Sequence, residues 1–144
     1  MKNLILWYRS TFHTPSRMAM TSLLTLRFVA GLALTLHGWG KIQSPFTWMG
    51  ESAPVPGFFQ FLAAFSEFGG GIAWILGLLT PLASFGIFIT MSVAVFTLVS
   101  RGDPFVASGG GGPSYELALL YWSIALFIMF NGPGRLSIDH KLVR

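Results

Sequence analysis

Four apolar segments, separated by stretches rich in glycine, proline or charged residues, dominate the hydrophobic pattern of this chain. They cover residues 21–39, 57–79, 81–100 and 115–131. The first would form about 28 Å of α-helix at 1.5 Å per residue, which nearly matches the hydrocarbon core of a bilayer. The last is shorter and needs an extension from its preceding loop or a locally thinner bilayer. The pattern predicts an all-α integral membrane four-helix bundle with up-down-up-down topology.

The breaks between these segments carry residues that end or begin helices. Thr80-Pro81 interrupts the apolar run. Proline is tolerated in a first helical turn, so a third helix is predicted to begin there and to form a hairpin with the second. Asn131-Gly132-Pro133 ends the fourth segment. The loop with four glycines at 109–112 lacks the Gly-Lys-Ser/Thr ending of a P-loop, so it is not predicted to bind phosphate.

The composition favours lipid over water as the solvent of this chain. Hydrophobic residues make up 53% and charged residues 10%, whereas an ordinary soluble domain has roughly 25% charged residues. The net charge of +4 comes from Lys and Arg at the ends of apolar segments, so nucleic acid is not an expected partner. The absence of cysteine excludes disulfides, thiolate catalysis and iron–sulfur ligation by this chain.

The distribution of basic residues predicts the orientation in the membrane. One side of the predicted bundle receives Lys2, Arg9, Arg17, Arg135, Lys141 and Arg144, and the other receives Lys41 and Arg101. By the positive-inside rule both termini are cytoplasmic, which agrees with an even number of spans. We expect residues 1–20 to be an interfacial or disordered segment, residues 21–133 to form the membrane domain, and residues 134–144 to be a basic cytoplasmic tail.

Five ionisable residues within or beside the spans are candidates for function, because an uncompensated charge at mid-membrane costs at least about 2.5–3.5 kcal/mol. They are Arg27, His37, Lys41, Glu67 and Glu116. At 100° per residue Arg27 and Lys41 share a helix face with glycines, and Gln60, Glu67 and Trp74 repeat every seven residues. Glu67 is therefore predicted to face the bundle interior.

Several partners and simpler explanations remain open for these residues. Arg27, or His37 with Lys41, would neutralise Glu67, and such pairs would serve only to fix helix register in the simplest interpretation. Arg27 would alternatively extend to the cytoplasmic interface, and Glu116 would be a carboxylate favoured at a helix N-terminus. The three histidines are too scattered to predict a metal site or a haem site.

Five sequence motifs resemble the DoxX family, in order and over about residues 22–141. They are RFVAG at 27–31, LHGWGK at 36–41, EFGGG at 67–71, LGLLTP at 76–81 and NGPGRLSID at 131–139. The resemblance implies a four-helix, multi-pass protein of the bacterial plasma (inner) membrane, often a subunit associated with an oxidoreductase. Some members belong to thiosulfate:quinone oxidoreductases, and others to complexes with soluble redox enzymes. It also marks Arg27, His37, Lys41 and Glu67, together with the motif residues Gly38, Gly70, Asn131 and Asp139.

Three functions remain as hypotheses, and no catalytic motif such as Ser-His-Asp accompanies them. The first is a redox-associated subunit that binds a quinone. Its cavity wall would include Gln60, Trp74 and Trp122 with Phe65, and His37 or Glu67 would exchange protons. The second is a membrane scaffold for soluble redox enzymes that catalyses nothing. The third is a proton or small-solute carrier that uses Arg27 and Glu67 as a gated pair and would need a homo-oligomer to thicken its wall.

Overall fold

The computed structural model describes residues 17–109 and 111–142, and this part of the chain is helical without strands. The helices are α1 (Arg17–Gln43), α2 (Gly57–Leu76), α3 (Thr80–Ser100), α4 (Glu116–Asn131) and the short α5 (Ile138–Leu142). The predictions for residues 1–16, and for Arg144, lie outside the described residues. The all-α prediction is confirmed.

Three of the helices, α1, α2 and α3, are long and apolar enough to cross a membrane, and α4 is apolar but shorter. Large apolar side chains such as Phe28, Phe65 and Phe127 are exposed on their outward faces. A water-soluble protein of this size would rarely expose so many of them, whereas a bilayer favours such a surface. The chain is therefore a multi-pass membrane protein.

The helix bounds follow the local sequence signals. α2 ends at Leu76 rather than near residue 79, because Gly77 adopts a left-handed conformation with φ of 64°. The N–H groups of Gly77 and Leu78 donate to the carbonyls of Trp74 and Ala73, the Schellman arrangement that closes a helix. α3 begins at Thr80 with Pro81 in its first turn. α1 is longer than predicted and runs from Arg17 to Gln43.

Glycines bring α1 and α2 into backbone contact. A Cβ atom on Gly31 would lie 2.6 Å from the carbonyl oxygen of Gly71, and one on Gly38 would lie 2.5 Å from the backbone nitrogen of Phe68. Neither position has room for a larger residue. Gly70 faces the other way, where an added Cβ would lie 3.0 Å from the Ile87 side chain of α3. The glycine-rich face of α2 therefore packs between two helices.

The core receives side chains from α1 to α4, including Leu34, Trp74, Ile87 and Ala125. Consecutive helices pack closely in the order α1 with α2, α2 with α3, and α3 with α4, whereas α1 and α4 approach each other much less. Trp74 is fully buried, and its indole N–H donates to the hydroxyl of Ser84 at 2.9 Å. Its polar atom is thus satisfied inside an apolar core.

Candidate functional site

The candidate residues on α1 fall into two separate polar clusters. Arg27 and Lys41 are fourteen positions apart, about 21 Å along a helix at 1.5 Å per residue. Arg27 lies beside the carboxyl end of α2, and Lys41 lies beside Glu67 near the middle of that helix. The two clusters have different chemistry.

Arg27 forms the first cluster, which we call the carbonyl clamp. Its Nε donates to the carbonyl of Trp74 at 3.0 Å, its Nη2 donates to the carbonyl of Leu136 at 2.9 Å, and its Nη1 donates to the carbonyl of Pro133. The residue is only 1% exposed, because these carbonyls and the surrounding helices enclose it. Carbonyls at the end of a helix lack helical partners, and a guanidinium with five donors is well suited to several of them.

Asp139 holds the adjacent end of α3. Its two carboxylate oxygens accept hydrogen bonds from the backbone N–H groups of Leu79 at 2.7 Å and Thr80 at 2.8 Å, and its own N–H donates to the carbonyl of Gly77 at 2.9 Å. Leu79 has a φ of 48° and supplies no side-chain cap to this helix. Asp139 therefore caps α3 from a distant part of the sequence.

The charge state of Asp139 follows from these contacts. Burial by itself raises the pKa of the carboxyl group. The hydrogen bonds from Thr80 and Leu79 and the positive charge of Arg27 favour the carboxylate more strongly, so the pKa of Asp139 lies below its ordinary value. Residues 134–142, predicted as a tail, thus pack back onto the helix ends through this carboxylate.

Lys41 and Glu67 form the second cluster. The Nζ of Lys41 lies 2.6 Å from Oε1 and 2.7 Å from Oε2 of Glu67. The Glu67 side chain is 6% exposed and that of Lys41 is 27% exposed, so the carboxylate is buried and the lysine side chain is partly exposed. The Lys41 Nζ also lies 4.6 Å from the centre of the Trp48 ring. Of the three cations considered from the sequence, Lys41 is the one that pairs with Glu67 in the described chain.

A cavity of about 220 Å³ adjoins this ion pair. Its lining comprises Leu34, His37, Lys41, Glu67, Met91, Ala94, Ser114, Leu117, Ala118 and Tyr121. The His37 and Tyr121 rings meet edge to face with centroids 6.3 Å apart, and they connect α1 with α4. Within the described residues neither ring has a hydrogen-bond partner. The cavity thus combines an ion pair, two polar rings and an apolar wall.

The other predicted site residues lie elsewhere. The side chain of Gln60 holds the loop before α2: its Oε1 accepts from the Met49 N–H at 3.0 Å, and its Nε2 donates to the Val55 carbonyl at 2.8 Å. Trp74 is in the core, and Trp122 donates to the hydroxyl of Ser92 at 2.9 Å. None of these three is among the described residues that line the cavity.

Three further residues also lie away from this cavity. Phe65 is exposed on the outward face of α2, Glu116 is exposed in the first turn of α4, and the Asn131 side chain donates to the Phe127 carbonyl at 3.0 Å. Throughout residues 17–109 and 111–142, no three His, Asp or Glu side chains are grouped to hold a metal ion.

Tyr121 is a cavity residue that the sequence analysis missed. It lies on the same face of α4 as Ala125 and Ile128, all three of them buried. A spacing of four and then three residues is typical of the inward face of a helix. That periodicity identifies Tyr121 as an interior phenol, although the apolar character of the whole segment obscures it.

Comparison with known proteins identifies the family. The family model described as DoxX matches residues 22–100. The chain belongs to the DoxX family. A relative of this DoxX protein is an uncharacterized protein of Haemophilus influenzae, 34% identical over 122 residues, which covers 83% of this chain and 89% of the relative. No solved structure matches the present chain. The matched region of the family model contains both Arg27 and the Lys41–Glu67 pair.

Proposed function

We propose that this DoxX protein is a quinone-binding membrane subunit of a redox complex in the bacterial plasma membrane. The observation that supports this best is the cavity in which the Lys41–Glu67 pair lies beside His37 and Tyr121. A buried ion pair that faces a cavity is available to a ligand, whereas one enclosed by side chains would only fix the packing.

The proposal includes a four-span topology with both termini in the cytoplasm. The apolar α4 is the fourth span, with a locally thinner bilayer or an extension by its preceding loop. Arg17, Arg135 and Lys141 then lie on the cytoplasmic side, and Lys41 and Arg101 lie toward the outer side. The contacts of Arg27 with Trp74 and Leu136 support this arrangement, because they bring the carboxyl end of α2 together with the segment that follows α4.

The cavity's side chains fit the recognition of a quinone ring. Reduction of a quinone needs two electrons and two protons, and the ring carbonyls become hydroxyls. The phenol of Tyr121 and the imidazole of His37 are hydrogen-bond donors suited to such carbonyls, and Glu67 is a carboxyl group able to exchange protons. In a redox complex the electrons would come from a partner protein.

Quinone titration of the purified protein tests the proposal. We expect saturable binding of a long-chain quinone to the wild-type protein. Tyr121→Phe removes one donor without changing the ring, and we expect it to weaken binding about tenfold, or roughly 1.4 kcal/mol. Glu116→Gln is the matched control because that carboxylate is exposed and away from the cavity. Absence of saturable binding, or unchanged turnover of the complex with Glu67→Gln, would contradict the proposal.

A scaffold that anchors soluble redox enzymes is a second candidate, and the carbonyl clamp favours it. Arg27 and Asp139 both hold backbone groups, and together they order the segment after α4 into a fixed surface at one end of the helices. The scaffold function predicts that soluble partners copurify in stoichiometric amounts and remain bound in Glu67→Gln. Loss of these partners in Asp139→Ala, with the fold intact, would support a docking surface there.

A further inference from the structure

The cavity beside the Lys41–Glu67 pair has one weakly closed side. Its walls come from four helices, with His37 and Lys41 on α1, Glu67 on α2, Met91 on α3 and Tyr121 on α4, and from Ser114 in the loop before α4. Three of the four seams between these helices are closely packed, and the seam between α1 and α4 is not. The principal described contact across that seam within the cavity is the edge-to-face pair of His37 and Tyr121.

The loop between α1 and α2 packs beside Lys41 without lining the cavity. The Trp48 ring packs on the Lys41 ammonium group, and its indole N–H donates to the carbonyl of Gln60 at 2.9 Å. The Gln60 side chain fixes the same loop through its bonds to Met49 and Val55. This loop is thus held in place by side-chain hydrogen bonds, whereas the α1–α4 seam is loosely packed.

The rim of the α1–α4 seam is apolar on its α4 side. Leu117 lines the cavity and is also 47% exposed, so it reaches from the interior to the outer surface. Leu120, one helical turn from Leu117 on α4, is exposed as well, whereas the exposed residue on the α1 side of the rim is His37. Exposed leucines on helices of this hydropathy face hydrocarbon rather than water, so the seam opens toward lipid.

The size of the cavity restricts what it encloses. Sites that bury drug-sized molecules have roughly 300–1,000 Å³, whereas this cavity has about 220 Å³. It has room for a single ring and no room for a long chain attached to it. An attached apolar chain would have to leave through the seam, where Leu117 and its apolar neighbours would contact it.

We infer that the seam between α1 and α4 is a lateral portal through which a lipophilic ring compound enters from the bilayer. Its ring, with carbonyl oxygens, lies near His37 and Tyr121, and its apolar chain stays between the two helices in the lipid. This inference rests on the proposed quinone-binding function for the identity of the ligand. The route of access is independent of that identity.

Single-cysteine labelling tests the route, since the chain has no cysteine of its own. Ala118→Cys places a thiol on the cavity wall. Phe127→Cys is the lipid-facing reference on the same helix, and Ser108→Cys is the reference in an exposed loop. Each variant in proteoliposomes is treated with N-ethylmaleimide, which enters lipid, and with a charged methanethiosulfonate, which does not, both present on the two sides of the membrane.

For each variant we compare the maleimide labelling rate divided by the methanethiosulfonate labelling rate, because the intrinsic reactivity of each thiol cancels in this ratio. We expect the ratio for Ala118→Cys to exceed that for Ser108→Cys at least tenfold and to resemble that for Phe127→Cys. A ratio close to that of Ser108→Cys would mean that the cavity opens to water, and it would overturn the portal.

A second measurement separates the portal from the proposed function. A long-chain quinone added beforehand should slow maleimide labelling of Ala118→Cys and leave Phe127→Cys unchanged. Lipid-selective labelling without this protection would support the portal and contradict quinone binding. Protection with water-selective labelling would support quinone binding and overturn the portal.

Discussion

Removing the carboxylate of Asp139 should destabilise the protein by releasing the N-terminus of α3. The perturbation is small in volume, and it acts on two hydrogen bonds of 2.7 and 2.8 Å to the N–H groups of Leu79 and Thr80. Both N–H groups belong to the start of a helix that has no side-chain cap of its own. In Asp139→Asn the amide retains one acceptor oxygen but directs an NH₂ group toward the other backbone donor.

The magnitude follows from the contacts. A hydrogen bond to a charged group contributes about 1.5–3 kcal/mol, so two give a gross stabilisation of about 3–6 kcal/mol. Asp139 is only half-buried, so water competes for the freed N–H groups. Loss of an ordinary helix N-cap costs about 0.5–2 kcal/mol. We therefore expect Asp139→Ala to lower the free energy of unfolding by about 2 kcal/mol and Asp139→Asn by about 1 kcal/mol.

The contribution of Asp139 should depend on pH with a defined sign. Its pKa is lower in the folded protein than its ordinary value, so the folded state favours the carboxylate. The stabilisation is therefore fully present above the unfolded pKa of roughly 3.9 and is lost as the pH falls through the folded pKa. Asp139→Asn removes this part of the acid dependence, so the difference between wild type and variant should shrink below about pH 4.

Unfolding in mixed detergent micelles, with dodecyl sulfate as the denaturant and tryptophan fluorescence as the signal, measures these effects at pH 7 and at lower pH. Glu116→Gln is the control, because it also removes a carboxylate from a first helical turn but its side chain is exposed. If Asp139→Asn and Asp139→Ala match Glu116→Gln at pH 7, or if their deficit persists unchanged into acid, the capping explanation is refuted.

Three other experiments test the packing and the buried charges. Gly71→Leu should force α1 and α2 apart, because an added Cβ would lie 2.6 Å from a backbone oxygen of α1. We expect this variant to lose the monodisperse peak in size-exclusion chromatography. The control Gly40→Leu, which has open space around the added side chain, should elute normally. Arg27→Met leaves three carbonyls without their donor and should lower the free energy of unfolding by about 3 kcal/mol or more. Arg27→Lys should restore only part of this stability, and the same detergent unfolding measures both variants. A double-mutant cycle of Lys41→Met and Glu67→Gln should give a coupling of about 1–3 kcal/mol, and a coupling near zero would show that the pair contributes nothing to stability.

The hydrophobic pattern of the chain was enough to predict the class of the fold and the inward helix faces. The lengths of the apolar segments predicted the spans, and the structure has helices at all four places, with bounds that differ by a few residues. The seven-residue spacing of Gln60, Glu67 and Trp74 predicted an inward stripe, and all three are buried. These properties were readable because segment length and helical periodicity depend on residues close together in the chain.

Which groups meet depends instead on the three-dimensional arrangement of the helices. Arg27 and Leu136 are 109 residues apart, and Asp139 and Leu79 are 60 apart. Lys41, rather than Arg27, pairs with Glu67 across 26 residues. Such contacts depend on how far each helix slides and rotates against its neighbours, and the close approach of Gly31 to Gly71 sets that position for α1 and α2. The hydrophobic pattern is the same along most of each helix, so it specifies a face without specifying a depth.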